Sequence, residues 1–352
     1  MYEVIVHAGP KAELVQSPIP SPKADQVVIK VVVSGSNPKD WKTPNLWGWE
    51  GMNQGDDIAG IVHEVGSNVV EFKVGDRVAA FHEMRTPGGS YAEYAVAWAH
   101  TTFHLPKQTS FEEAATIPLA GLTAALGLFA RLRLPTPFAR ATEPIPTIIY
   151  GGSTAVGAFA IKLAQRANIH PLFVVAGSGS SFVDKLIDRS KGDVIIDYRP
   201  GPAHLVEQLN TAIQNVGLTK IKYALDAVTT EPSFQVLAKV LDTNGGRYTG
   251  VLPYDESVFA SGISHSTTTV GNSHASDEKA PGDADLAFAF IRLFGKGLKD
   301  GWFTGHPFEV VPNGLAGVEE ALRNLKDGKN SALKYVFRIA DTPQLREDQP
   351  GI

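Results

Sequence analysis

The 352-residue sequence contains no cysteine, which excludes disulfides, thiolate zinc sites and cysteine nucleophiles. It also lacks an excess of basic residues, since 32 Lys and Arg are outnumbered by 37 Asp and Glu. Such a chain has no basic field to attract a phosphate backbone, so we expect no nucleic-acid partner. Apolar runs of the roughly 20 residues that span a bilayer are missing too, and we expect no membrane association.

The N-terminus lacks a charged segment followed by an apolar core, so we expect no leader peptide and a cytoplasmic location. What the chain does have is length and apolar content. Its 352 residues are 43% apolar, enough for packed cores, and the length suggests two domains.

The chain has two successive parts with different sequence patterns. Residues 27–104 form short β-rich segments separated by glycine, proline or charged turns, which predicts a mostly β unit. From about residue 111 the period changes: Ser110, with Glu113 three residues later, is typical of a helix N-terminus. Strands and helices then alternate up to about residue 250, which predicts βαβ units and a parallel sheet. Residues 254–283 are rich in polar residues and read as an irregular loop.

The segment "TIIYGGSTAVGAFAIKLAQ", residues 147–165, is the first of these strand-to-helix units. Small residues and a helix N-terminus would let a pyrophosphate approach backbone N–H groups. The spacing is not a strict G-x-G-x-x-G, so an ordinary tight connection is the alternative. Its rank as the first unit of the alternating series favours dinucleotide binding.

The next predicted strand favours NADPH over NADH. It ends in Ala176 and Gly177 with no carboxylate, whereas an acidic residue there would hold the adenosine ribose of NADH and repel a 2′-phosphate. Hydroxyl groups, a lysine and the following "DYR" segment are available for the phosphate instead. Lys185 could equally be a solvated helix lysine, and Tyr198 a partly buried aromatic. The candidate ligands are Ser178, Ser180, Ser181, Lys185, Tyr198 and Arg199.

Several motifs carry a family resemblance over essentially the whole chain. They are "SNPKDWK" (36–42), "QGDDIAGIVHEVG" (54–66), "VGDRV" (74–78), "GGSYAEYAVA" (88–97), "IPLAGLTAAL" (117–126) and "YGGSTAVGAFAIKLAQ" (150–165). With these motifs the chain resembles the medium-chain dehydrogenase/reductase superfamily. Within it, the chain is most similar to a zinc-free fungal branch of trans-acting enoyl reductases and quinone-oxidoreductase-like proteins.

The resemblance implies an α/β protein of two domains. Residues 1–120 and 290–352 would form a GroES-like, β-rich catalytic domain, and residues 121–289 a Rossmann domain with a doubly wound parallel sheet that binds NADPH. Zinc-dependent relatives carry a cysteine motif, a Gly-His-Glu motif and a four-cysteine lobe. Here Asn37 to Asp40 and Gly55-Asp56-Asp57 take the first two positions, and the lobe is missing. We therefore expect no metal.

Loss of the zinc ligands changes the expected chemistry. A Lewis acid is the main source of charge stabilisation in simple alcohol oxidation. Hydride addition to a conjugated acceptor needs no such Lewis acid, because the charge develops on an oxygen that N–H or O–H groups can stabilise. We therefore expect NADPH-dependent reduction of an enone, an enoyl thioester or a quinone.

The resemblance also implies site residues. Lys42 would bond the nicotinamide ribose or a substrate carbonyl, and Thr123 would lie beside the nicotinamide; both are the predicted catalytic residues. Trp47, Trp49 and Phe81 would line an acyl or ring pocket, with packed core as the alternative. The other predicted cofactor contacts are Pro38, Lys39, Asp40, Trp41, Ser153, Thr154, Ala155, Val156, Val251, Leu252 and Ala332 to Lys334.

Three functions remain open at this point. The first is a stand-alone reductase of a small conjugated carbonyl or quinone. The second is a trans-acting enoyl reductase that serves a polyketide synthase, with an acyl carrier protein as partner. The third is a non-catalytic NADPH-binding sensor or scaffold, because no residue stands out as a proton donor. A monomer and a homodimer are both open.

Overall fold

The computed structural model describes residues 1–347. The chain divides into two compact units: unit 1 combines Met1–Leu119 with the segment that begins at Gly271, and unit 2 is Ala120–Val270.

The first part of unit 1 is built from β-strands. Valine-rich β3 is ten residues long and lies at the centre of the sheet. The elements are β1 (Tyr2–His7), β2 (Lys11–Gln16), β3 (Gln26–Gly35), α1 (Lys39–Leu46), β4 (Asp57–Val65), β5 (Arg77–Phe81), β6 (Tyr94–Trp98), β7 (Thr102–His104), α2 (Phe111–Ala114) and α3 (Pro118–Ala125), which leads into unit 2.

Unit 2 alternates strands and helices, as the sequence predicts. Its elements are β8 (Thr147–Tyr150), α4 (Ala155–Arg166), β9 (Leu172–Ala176), α5 (Ser180–Val183), β10 (Val194–Asp197), α6 (Pro202–Asn215), β11 (Tyr223–Asp226), α7 (Glu231–Val240), β12 (Arg247–Gly250) and β13 (Ser264–Thr267). The six strands are parallel, in the order β10-β9-β8-β11-β12-β13. The order reverses between β8 and β11, the arrangement of a doubly wound sheet.

The chain then returns to unit 1 with α8 (Asp283–Asp300), β14 (Phe308–Val310), α9 (Val318–Lys326), β15 (Lys334–Arg338) and α10 (Pro343–Glu347). The main sheet of unit 1 runs β14-β15-β3-β4-β5-β7, with β6 also paired to β3. The prediction of a β-rich unit plus a parallel-sheet unit is confirmed.

The second predicted domain boundary differs from the structure. The sequence-based boundary lies between residues 289 and 290, inside α8, whereas the compact units divide between Val270 and Gly271. α8 packs against β7 of unit 1 and belongs to that unit.

Each unit has its own apolar core. In unit 1 the inward side chains of β3, β4 and β5 pack on α9, and in unit 2 strands β8 to β12 pack on α6 and α7. Segment Phe111–Arg131 is long and apolar enough to cross a bilayer, but 89% of its most apolar part is buried inside the protein, as in a core helix.

Candidate functional site

The turn after β8 is fixed by glycines and by the cap of α4. Gly151 has φ +82°, a left-handed backbone value that suits glycine. A Cβ on Gly157 would lie 2.2 Å from the Gly151 carbonyl oxygen, so only glycine permits this close approach. Thr154 Oγ1 accepts the Gly157 N–H at 3.0 Å and donates to Gly151 O at 2.8 Å. The turn presents free N–H groups of the helix N-terminus, a favourable place for an anion.

The four predicted pyrophosphate ligands all lie at this turn. Ser153 and Thr154 close it, and Ala155 and Val156 open α4. All four residues are half-buried. The structure therefore brings them together at the carboxyl end of β8.

The predicted 2′-phosphate ligands follow the neighbouring strand. Ser178, Ser181 and Lys185 are exposed, and Ser180 begins the short helix α5. No carboxylate ends β9, whose last residue is Ala176. The chain offers hydroxyl groups and an ammonium near this strand end.

Tyr198 lies directly after β10 and covers the end of β9. A Cβ on Gly177 would lie 2.7 Å from Tyr198 Cε1. The ring also stacks near Tyr150, with 6.3 Å between ring centroids and 29° between planes. Since 45% of Tyr198 is exposed, it stands at the surface beside the loop that begins at Ser178.

Arg199 is bound to the carboxylate of its own strand end. Its Nε and Nη2 donate to Asp197 Oδ2 at 2.9 and 2.5 Å. Hydrogen bonds from Arg199 hold the pKa of Asp197 below its usual range. The guanidinium is thus paired within its own segment, and the roles of Arg199 and Tyr198 at the phosphate stay predictions.

A cavity of about 180 Å³ lies beside Tyr198 in unit 2. Aromatic, proline and aliphatic side chains line it, so it suits a flat ring better than a charged group. Its lining residues are Tyr150, Tyr198, Pro202, Leu205, Pro232 and Val236.

Sequence reasoning assigns no role to Asp226, although a carboxylate at the end of a buried strand is a signal of a structural or functional site. It is fully buried, accepts Ser233 Oγ–H at 2.6 Å and the Thr229 N–H at 2.8 Å, and burial raises its pKa. Thr229 Oγ1 in turn accepts the Val251 N–H at 2.8 Å. Asp226 therefore orders the ends of β11 and β12, where Val251 and Leu252 lie half-buried.

The two predicted catalytic residues lie in different units. Lys42 is on α1 of unit 1, half-buried, with Nζ 5.8 Å from the centroid of the Trp41 ring. Burial lowers the pKa of Lys42, and its ammonium has no hydrogen-bond or ion-pair partner within residues 1–347. Thr123 is on α3 and is 5% exposed.

The three aromatic residues predicted to line a pocket separate into two groups. Trp47 and Trp49 are exposed, and the Arg85 guanidinium lies 5.1 Å from the Trp49 ring. Phe81 is fully buried and packs against His274 with 5.0 Å between centroids. Phe81 therefore lies in the packed core, which was the alternative to lining a pocket.

The other predicted contacts in unit 1 flank α1 and β15. Pro38 is exposed before α1, and half-buried Trp41 packs on the core. Ala332 has φ +50°, strained for a residue with a Cβ, and is followed by half-buried Leu333. The next residue, Lys334, is buried.

Residues at the zinc-ligand positions of the resemblance form buried ion pairs. Lys39 pairs with Asp56, and Lys334 Nζ lies 2.5 Å from Asp57 Oδ2. His82 Nδ1 lies 3.0 Å from Asp56 Oδ1. Within residues 1–347 no three His, Asp or Glu side chains are arranged to hold a metal. These residues do not fit zinc, because ammonium groups already neutralise the carboxylates.

The strand order of unit 2, with a glycine-rich turn after its first strand, defines the class of the protein as dinucleotide-binding. Residues 23–107 match the alcohol dehydrogenase GroES-like domain family. Trans-enoyl reductase fsr4 of Gibberella fujikuroi is 47% identical over 321 residues, which cover 90% of this chain and 92% of that protein. Trans-enoyl reductase thnE of Trichoderma harzianum is 29% identical, with 96% of each chain covered.

Solved structures show the same fold. The CurK enoyl reductase superposes with a TM-score of 0.74 at 20% identity, covering 95% of this chain and 98% of its own. A putative zinc-dependent alcohol dehydrogenase from Rhizobium etli gives 0.79 at 20% identity, covering 96% and 98%. The chain belongs to the trans-enoyl reductases of the medium-chain dehydrogenase/reductase superfamily. The superfamily and branch predicted from the motifs are thereby confirmed.

Proposed function

We propose that the protein is an NADPH-dependent enoyl reductase acting on a carbon–carbon double bond conjugated to a thioester carbonyl. The observation that carries this proposal is the 47% identity to a trans-enoyl reductase over 90% of the chain. The same relative favours an acyl chain held by the carrier protein of a polyketide synthase over a free enone or quinone. We place the reaction in the cytoplasm.

Unit 2 has features that suit the cofactor. The turn at Ser153 and Thr154 would hold the pyrophosphate, and the cavity beside Tyr198 would take the adenine ring. The carboxylate-free end of β9 supports NADPH rather than NADH, with Ser178, Ser180, Ser181, Lys185 and Tyr198 toward the 2′-phosphate. When bound, NADPH supplies the hydride.

The residues of this chain would stabilise charge and hold the cofactor. As the double bond is reduced, negative charge develops on the thioester oxygen, and the free ammonium of Lys42 is suited to donate a hydrogen bond to it. Burial of Lys42 lowers its pKa and makes it a stronger donor. Thr123 would hold the nicotinamide in place, and solvent would protonate the carbon next to the carbonyl.

A panel assay tests this function. NADPH oxidation is followed with enoyl thioesters of pantetheine, the same acyl groups on a carrier protein, small enones and quinones. The proposal predicts saturated thioester products, with faster turnover on the carrier-bound chain. Turnover confined to quinones or enones supports a stand-alone reductase, and tight NADPH binding without turnover on any acceptor supports a sensor or scaffold.

A further inference from the structure

Lys39, the first residue of α1, lies in a buried network of unit 1. Its Nζ donates to the Gln54 carbonyl oxygen at 2.5 Å and lies 3.1 Å from Asp40 Oδ1. A shorter ion pair joins it to Asp56 Oδ2. The Gln54 carbonyl oxygen accepts a hydrogen bond from Lys39, and the two carboxylate oxygens contact its ammonium as ion pairs.

Both aspartates are also held from their other side. Asp56 Oδ1 lies 3.0 Å from His82 Nδ1, and Asp40 Oδ2 accepts the Tyr91 hydroxyl at 2.5 Å. Asp40 and Asp56 are 0% and 1% exposed. Lys39 therefore joins the start of α1 to the segment that precedes β4, where Asp56 also contacts His82. Its neighbour Asp40 joins the same helix to Tyr91, before β6.

The charges in this network depend on one another. Burial raises the pKa of Asp40 to about 6. Burial alone would raise the pKa of Asp56. Lys39 and His82 have the larger, opposite effect, so the pKa of Asp56 lies below its usual range. Burial lowers the pKa of Lys39, and the two carboxylates raise it above its ordinary value. An uncharged side chain at position 39 would leave buried carboxylates without their cation.

Lys42 lies three residues further along α1, on the same side of the helix as Lys39. Unlike Lys39, its ammonium has no ion-pair partner in the described part of the chain. The helix that carries Lys42 therefore sets the point from which its side chain extends. Lys39 anchors the first residue of that helix.

We propose that Lys39 is a positioning residue whose ammonium acts as a bound cation would, anchoring α1 and so aiming Lys42. The family resemblance aligns Asp56 with a zinc ligand, and the structure puts an ammonium against it instead. The effect on turnover rests on the proposed reductase function. The anchoring is a property of unit 1 alone.

The test compares Lys39→Ala with a matched control, Lys30→Ala, which removes an exposed lysine from β3. We expect Lys39→Ala to lower kcat about tenfold to a hundredfold, while the KM for NADPH changes less than about threefold. Ethylammonium chloride should restore part of the lost kcat, and sodium chloride at the same ionic strength should not. The control should match the wild type.

A second readout needs no turnover. The rate at which acetic anhydride modifies Lys42, followed by mass spectrometry of the folded protein, should change in Lys39→Ala and stay unchanged in the control. A folded Lys39→Ala protein with wild-type kcat and wild-type Lys42 reactivity overturns the proposal. If Lys39→Ala does not fold, Lys39→Ala with Asp56→Asn, which removes one charge of each sign, replaces it. If the wild type reduces no enoyl thioester, the proposed function fails, and the acetylation rates still decide the anchoring.

Discussion

Tyr198 is the residue on which the proposed preference for NADPH depends most. Changing Tyr198 to Phe removes one hydroxyl and keeps the ring over Gly177. We expect the Kd for NADPH to rise about fivefold, because one hydrogen bond contributes about 1 kcal/mol, and the Kd for NADH to stay unchanged. Fluorescence titration with both cofactors measures this.

The matched control is Tyr223→Phe, a tyrosine at the opposite, amino end of β11. It should leave both affinities at wild-type values. An unchanged NADPH affinity in Tyr198→Phe would refute the phosphate assignment, and an equal loss for both cofactors would place Tyr198 at the adenine instead.

Lys42 is the residue proposed to act on the reacting oxygen. Lys42→Ala should lower kcat/KM for an enoyl thioester about 100-fold, the usual effect of losing one donor to a developing oxyanion. Steady-state kinetics with purified protein measures it, and Lys30→Ala is the control. Wild-type kcat/KM in the folded variant would remove Lys42 from the mechanism.

Sequence reasoning predicts roles for single residues, but it does not predict their ion-pair partners. Lys39 and Lys334 stay predicted cofactor contacts, and the structure shows that both ammonium groups pair with buried aspartates of unit 1. Asp56 lies 17 residues from Lys39 in the chain, and Asp57 lies 277 residues from Lys334. A linear pattern does not report such pairing, because the fold creates it.

Among the elements, α4 carries the proposed pyrophosphate site, and Thr154 caps it. Thr154→Ala should lower the free energy of unfolding by about 1 kcal/mol, since it removes the acceptor for the Gly157 N–H. Urea unfolding followed by circular dichroism measures this. Thr154→Ser keeps the hydroxyl and should retain most of the stability. Equal losses in both variants would show that the methyl group, and not the cap, is what matters.

Helices and strands with a regular spacing of apolar residues are predicted from the sequence, and a strand without such a spacing is missed. The strands β8 to β12 and the helices between them follow from apolar runs and glycine turns. The sixth strand, β13, has the sequence "SHST", and it lies in a segment that the sequence indicated as irregular. It is an edge strand paired only with β12, so little burial marks it. The helix between β9 and β10 is short and ends at Val183.

At the scale of the whole molecule, the spacing of apolar residues along the sequence predicts a β-rich unit and an alternating unit. The change of period near residue 111 marks the passage from β-rich to alternating structure. The return to unit 1 was placed too late, because α8 has the same amphipathic pattern whichever unit it covers. Packing partners, rather than local sequence, decide that boundary.

The whole protein should work without zinc. We expect purified protein to contain less than about 0.1 zinc per chain and a chelator to leave its activity unchanged, because the ligand positions hold neutralised carboxylates. Elemental analysis and assays with and without chelator measure this. A zinc-dependent alcohol dehydrogenase, which the chelator inactivates, is the control. Stoichiometric zinc whose removal abolishes activity would contradict the account.

The most direct test of the central claim follows the hydride itself. NADPH carrying deuterium at both C4 positions of the nicotinamide is incubated with the protein and an enoyl thioester on a carrier protein, and the product is analysed by mass spectrometry. The account predicts a saturated thioester with one deuterium on the carbon β to the carbonyl for each NADPH consumed. Deuterium on the carbonyl carbon, or recovery of the unsaturated thioester, would contradict it.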